Sequence, residues 1–221
     1  MANEKEITFY GRLSFPQLTA EGAYQRNLKG TYPTPDVAST SPDFSLLVTE
    51  AQWDRVRKHI EEVFLPYCAE QHKKGEKRDA LSPAEIKVLI EGLEDLESQT
   101  YNTPAKPVSE KSALLAPEAV ASIKVIGPKG SDFDQKAIVT SEQELKVPDP
   151  DIMSFPVILP INLTTHELYP GSVVAVTGNL YSYHNGKHPG FSIGANTLVF
   201  KRDADRFGGG AAIDADAMFM D

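Results

Sequence analysis

Residues 172 to 200, SVVAVTGNLYSYHNGKHPGFSIGANTLVF, constrain the fold more than any other part of the chain. Both halves are rich in β-branched and aromatic residues. Asn185-Gly186 between them is the dipeptide that most favours a tight hairpin turn. The stretch therefore reads as two long antiparallel strands. In the first, Val174, Val176 and Leu180 fall on one face, while Thr177, Asn179, Tyr181 and Tyr183 fall on the other. The even positions are the core face, because strand side chains alternate with a period of two.

At the other end of the chain, EITFYGRLSF alternates in the same way. Ile7, Phe9, Gly11, Leu13 and Phe15 share one face, and Thr8, Tyr10, Arg12 and Ser14 share the other. This predicts a half-buried strand. Residues 16–43 are rich in Pro, Gly, Ser and Thr and read as a long loop, and FSLLVT at 44–49 reads as a second strand. Thr49 with Gln52 has capping-box spacing, and Trp53, Val56, Ile60, Val63 and Phe64 recur at helical spacing, so a helix is expected over about 50–72. Ser82, Pro83 and Glu85 repeat the start signal. Ile86, Leu89, Ile90, Leu93 and Leu96 then give an apolar stripe for a second helix ending near 98.

Residues 101–119 read as irregular, and strands are expected at ASIKVIG (121–127), KAIVT (136–140) and FPVILPINL (155–163). No internal repeat is visible. Strands at both ends with helices between them predict a mainly β, α+β chain. The first strand must pair with late ones to close a small Greek-key barrel or curled sheet.

Composition narrows the function. The 221 residues are 41% hydrophobic and 24% charged, as in ordinary globular domains. There is no apolar run of about 18 residues for a membrane span, and MANEKEITF opens with charge where a secretory signal needs an apolar stretch. A cytosolic protein is expected. The single cysteine, Cys68, excludes an internal disulfide and reads as a small buried hydrophobe.

The net charge of -9 is concentrated in two places. Residues 203–221 hold five aspartates against Arg206, and residues 79–98 hold six carboxylates against Lys87. The remaining body is balanced, so it can still offer a basic groove to a polyanion.

No P-loop, G-x-S-x-G or H-E-x-x-H motif is present, and the five histidines are scattered. Asp149-Pro-Asp151, Asp203-Ala-Asp205 and Asp214-Ala-Asp216 have a spacing that could hold magnesium, but they lie in loop or tail composition, where solvated carboxylates are the plain reading. No catalytic residue, metal site or cofactor is expected.

The polar face of the hairpin carries more information. Tyr181 and Tyr183 point the same way about 7 Å apart, close to the span of a stretched nucleotide. Aromatic rings on an open sheet face offer stacking platforms to unpaired bases. Tyr10 and Arg12 on the first strand, Phe191 on the returning strand, and Lys187, Lys201 and Arg202 flanking it complete the expected binding set. The plainer alternative is that paired tyrosines pack under the inserted helices.

GRLSFPQL near the start, and LYPGSVVAVTGNLYSYHNGKHPGFSIGANTLVFKRD followed by a glycine-rich acidic end, resemble the single-stranded DNA-binding proteins of tailed phages. The resemblance rests on the turn at 169–171, the strand reaching Tyr181 and Tyr183, the Asn-Gly hairpin, and the last strand running into Lys201-Arg202-Asp203. It leaves the helical insertion at 50–98 without a role. It implies an OB-fold barrel over residues 1–202 that coats unpaired DNA during phage replication and recombination in the host cytoplasm, often as a dimer.

The same resemblance implies a job for residues 203–221. Three glycines release the chain, Asp214 and Asp216 supply charge, and Met218, Phe219 and Met220 form a hydrophobic tip. Such a tail docks on replication proteins such as a polymerase or helicase-primase and competes with DNA for the groove. Here Phe219 is followed by Met220 and Asp221, a departure from the pattern. Two other classes remain: an OB-like protein interaction module, such as a phage assembly or inhibitory factor, and a nuclease with a carboxylate cluster on ordered strands.

Overall fold

Strand β1 (Glu6–Gln17) forms where the alternation predicts it, with Ile7, Phe9, Gly11 and Leu13 buried. The computed structural model describes residues 3–28, 36–97, 102–130, 168–185, 188–202 and 204–207. Within them β1 pairs antiparallel with β2 (Asp43–Thr49) on one side and with β5 (Val173–Asn185) on the other. β5 returns antiparallel as β6 (His188–Arg202), β6 runs parallel to β4 (Ala119–Ile126), and β4 pairs antiparallel with β2. The circuit β1-β2-β4-β6-β5-β1 is closed. This is the OB-fold arrangement, a five-stranded Greek-key barrel. The two-residue strand β3 (Ala105–Lys106) lies beside β4.

Between β2 and β4 the chain makes its helical insertion: α2 (Glu50–His59), a π turn (Ile60–Phe64), α3 (Leu65–Lys73) and α4 (Pro83–Glu94). The first three run end to end, as the apolar spacing predicts. The π turn follows from Pro66, which has no N–H to donate four residues back and whose ring crowds that carbonyl. The ladder widens there, and the Leu65 N–H donates to the Ile60 carbonyl.

The insertion is not an appendage. Trp53, Val56, Ile60, Phe64, Leu65, Cys68, Leu81, Leu89 and Leu93 join one core with the inward residues of the barrel strands. The Phe64 and Phe191 rings meet with centroids 6.0 Å apart. Each large side chain so buried contributes about 1.5 to 3 kcal/mol, so the helices and the barrel stand or fall together. Burial also pushes the Cys68 thiol up to about 12, which makes it unreactive.

Several expectations are corrected. Residues 16–43 are not all loop: α1 (Ala20–Leu28) forms there, started by the Thr19 hydroxyl, which accepts the Gly22 N–H at 3.0 Å. Arg26 at its end makes an ion pair with Asp43. The stretch 101–119 contains β3 and the short helix α5 (Glu110–Leu115). Thr49 makes no side-chain cap, and the reciprocal half of a capping box is lost too, because Gln52 is buried and its Oε1 accepts the Tyr10 N–H at 3.3 Å. Ser82 and Glu85 do form the predicted reciprocal capping box on α4. The strands expected at 136–140 and 155–163 lie outside the described residues.

Candidate nucleic-acid interface

Along β5 the predicted faces hold. Val174, Val176 and Leu180 are fully buried, whereas Tyr181 and Tyr183 are each 36% exposed on the outer face. What supports them from below is glycine. Tyr183 pairs directly with Gly190 on β6, and a Cβ there would lie 2.6 Å from the tyrosine Cζ. Tyr181 extends over Gly194, where a Cβ would meet its Cε1 at 3.4 Å. Each ring covers bare backbone with one side and keeps its other side outward, the familiar pairing of aromatic side chains with cross-strand glycines.

Tyr181 and Tyr183 line a groove of about 350 Å³ together with Ser182, His184, Lys5, Lys77, Arg78, Asp79 and Ala80. Lys77 and Arg78 are exposed and belong to the loop between α3 and α4. Asp79 fastens that loop. Its carboxylate accepts the Ser182 N–H at 2.9 Å and pairs with Lys5 Nζ at 2.7 Å, and only 8% of the residue is exposed. At the far rim, His184 Nε2 meets Glu85 Oε1 at 2.8 Å. Burial alone would raise the Glu85 carboxyl. The bonds from the Ser82 amide and hydroxyl and from His184 outweigh it and hold the group below its ordinary value.

Four members of the expected set do not join this groove. Phe191 is fully buried against Phe64, because its register opposite Ser182 places it on the core face with Ile193. Tyr10 is buried under the outer layer and opposes Ala175, so its ring offers no open platform. Arg12 is a fastening residue: its guanidinium donates to the carbonyls of Leu115 (2.9 Å), Asp205 (2.7 Å) and Gly171 (3.3 Å) and stands over the Phe207 ring at 4.5 Å. Lys201 lies near the opposite end of the hairpin, since Arg202 opposes Val173. From there to Tyr181 is roughly 26 Å of extended strand at about 3.3 Å per residue.

Lys187 and the tail residues Asp214, Asp216, Met218, Phe219 and Met220 lie outside the described residues, as do Asp149, Asp151 and Asp203. Among the described residues, no group of three or more His, Cys, Asp or Glu is placed to share a metal ion. No described helix is long and apolar enough to cross a membrane.

The contacts of Arg12 reach a segment that follows β6 in the chain. Phe207 is buried with Leu47 and Ala116, and the Tyr169 hydroxyl donates to the Ala204 carbonyl at 2.9 Å. In the turn at 169–171, with Gly171 at φ 111, the Pro170 carbonyl accepts the Phe207 N–H at 2.8 Å. Residues 204–207 therefore pack against the barrel.

Comparison with solved structures decides the fold class. The single-stranded DNA-binding protein from bacteriophage Enc34 matches with a TM-score of 0.50 at 14% identity, over 98% of this chain and 91% of that one. Its complex with single-stranded DNA matches with a TM-score of 0.51 at 14% identity, over 93% and 91%. In fold, the chain is similar to phage single-stranded DNA-binding proteins. No protein-family model and no curated protein matches the sequence.

Proposed function

We propose that the chain binds single-stranded DNA, stacking bases on Tyr181 and Tyr183 and drawing phosphates to the cations around their groove. The observation that carries this reading is the pair of half-exposed rings, each seated on glycine backbone and bordered by Lys5, Lys77 and Arg78. Stacking tolerates any base, because every base has a π-face. Rings held on a rigid sheet lose little freedom on binding. The fold shared with a protein solved in complex with single-stranded DNA supports the same reading.

On this reading the protein coats unpaired DNA without catalysis, in phage replication and recombination, in the cytoplasm of the bacterial host. Lys187 at the hairpin tip would extend the groove. Lys201 and Arg202 would meet only a strand long enough to follow β5 to its other end. Residues beyond Phe207 would form the acidic tail that engages replication proteins through Phe219, and the coating unit would be a monomer or homodimer.

The test is a titration of single-stranded and duplex oligonucleotides at two salt concentrations. Single strands should bind more tightly, with affinity falling as salt rises because phosphate contacts release counterions. Tyr181→Ala and Tyr183→Ala should each weaken binding by about 1 to 3 kcal/mol without changing the salt slope. Equal affinity for both forms would refute the reading. Failure to bind any oligonucleotide at any salt would favour the protein interaction module.

A further inference from the structure

We infer that Asp79 is a positioning residue that latches the α3–α4 loop onto the edge of β5, making the helical insertion the phosphate-contacting half of the groove. The inference rests on the proposed single-strand binding and gives the insertion its role.

The argument begins with an interrupted ladder. β1 starts at Glu6, and its pairing with β5 ends at Asn179. The Leu180 N–H is still served, by the Lys5 carbonyl at 2.7 Å. Beyond it β1 supplies no further acceptor, yet β5 runs on to Asn185. The Ser182 N–H would face outward with no strand beside it, and an unpaired amide in a partly buried site costs about 1 to 3 kcal/mol. Asp79 Oδ1 takes that position at 2.9 Å.

The acceptor comes with a charge and a loop. Oδ2 holds Lys5 Nζ at 2.7 Å, so the carboxylate is neutralised where it is buried. Asp79 sits at φ 53, alone among the described non-glycine residues in having positive φ. Aspartate and asparagine tolerate that region better than most residues. The left-handed step turns the chain so that the two preceding residues, Lys77 and Arg78, line the groove beside the tyrosines. Ser182 is the residue between the two rings. The latch therefore fixes the distance between base platform and cations at a single backbone amide.

Two variants separate the latch from general loop chemistry. Asp79→Asn and Asp79→Gly both accept positive φ, but only the first keeps an acceptor for the Ser182 N–H. The wild type is titrated first with a poly-dT oligonucleotide across a fourfold range of salt. The double variant Lys77→Ala/Arg78→Ala should lower the salt slope by about 1.4, two phosphates at about 0.7 apiece. Over that range the wild type should then weaken about sevenfold more than that variant. Asp79→Gly should lower the slope by about 0.7 to 1.4, because it frees the loop but also unpairs Lys5 at the groove. Asp79→Asn should keep at least the wild-type slope, and adding Asp79→Gly to the double variant should lower the slope no further.

If the wild type binds but Lys77→Ala/Arg78→Ala keeps its full slope, the loop makes no phosphate contact and the inference fails while the binding reading stands. That double variant changes only exposed loop residues, so it decides the matter even if Asp79→Gly does not fold. A folded Asp79→Gly with the wild-type slope would also overturn the latch. Absence of binding by the wild type would overturn both readings.

Discussion

Replacing Gly190 with alanine should damage both the fold and the binding face, whereas the same change at Gly194 should be nearly silent. At Gly190 the new Cβ would lie 2.6 Å from Tyr183 Cζ and 2.7 Å from Asn102 Cβ. The tyrosine can swing outward, but Asn102 cannot yield easily. Its carbonyl accepts the Phe191 N–H at 3.0 Å, and its side-chain amide donates to the Pro189 carbonyl at 3.3 Å. Such overpacking costs about 1 to 3 kcal/mol. At Gly194 the nearest atom is Tyr181 Cε1 at 3.4 Å, ordinary contact, and the loss of glycine entropy in the unfolded chain offsets what strain remains. Urea denaturation should show a lower midpoint with unchanged slope for Gly190→Ala. With its ring displaced, that variant should also lose about 1 to 3 kcal/mol of oligonucleotide affinity. Equal stability and equal affinity for the two variants would show that Tyr183 does not rest on Gly190.

Arg12→Ala should lower stability by about 1.5 to 3 kcal/mol, the cost of removing charged donors from partly buried acceptors, and leave the salt slope of binding unchanged. A stable variant with a reduced slope would mean that Arg12 meets phosphate after all. Asp43 supplies a pH test. Burial alone would raise its carboxyl, but Arg26 and Lys124 more than compensate and hold it below the ordinary 3.8. Its folded value lies under its unfolded one, so its stabilisation is complete above about pH 4 and is lost as pH falls through the folded value. Asp43→Asn should be less stable at neutral pH, and acid titration of unfolding should show a shallower decline; identical acid limbs would refute the assignment. Truncation after Gly210 removes Asp214, Asp216 and Asp221 and keeps the Phe207 contacts. It should tighten oligonucleotide binding at low salt with an unchanged unfolding midpoint, as expected of a tethered anionic competitor. Unchanged low-salt affinity would remove the tail from the binding reaction.

The barrel was legible where a period of two ran unbroken. β1 and β5 follow their alternation, and the tyrosine face follows from β5 alone. Phe191 was legible too: Phe191, Ile193 and Ala195 alternate with Ser192, Gly194 and Asn196, and that pattern marks the ring as core. Tyr10 and Arg12 were harder. Their face is polar by alternation, and the exterior of a barrel strand is open only if no other segment covers it. Gln52 on α2 reaches the Tyr10 amide, and the segment 204–207 folds back over Arg12. Both coverings come from far along the chain, so no local window contains them. Helix α1 escaped for a different reason. It is a single short element whose Gly22 and polar neighbours look like the loop around it, and Ala20 and Ala23 bury too little surface to leave a stripe.

The cations show the same limit from the other side. The cations that the sequence offers to the tyrosine face are Lys187, between the two strands of the hairpin, and Lys201 and Arg202, at the end of the returning strand. Strand geometry carries Lys201 away from the rings at about 3.3 Å per residue, while a barrel that closes can bring any distant loop to the same place. Here the loop comes from the insertion, 103 residues before Ser182, and one hydrogen bond from the Ser182 amide to Asp79 makes the connection. An insertion whose second half reads as acidic in sequence thus places two exposed basic residues, Lys77 and Arg78, at the groove. The one insertion carboxylate in the groove lining, Asp79, is paired with Lys5, so the two loop cations keep their charge for a phosphate.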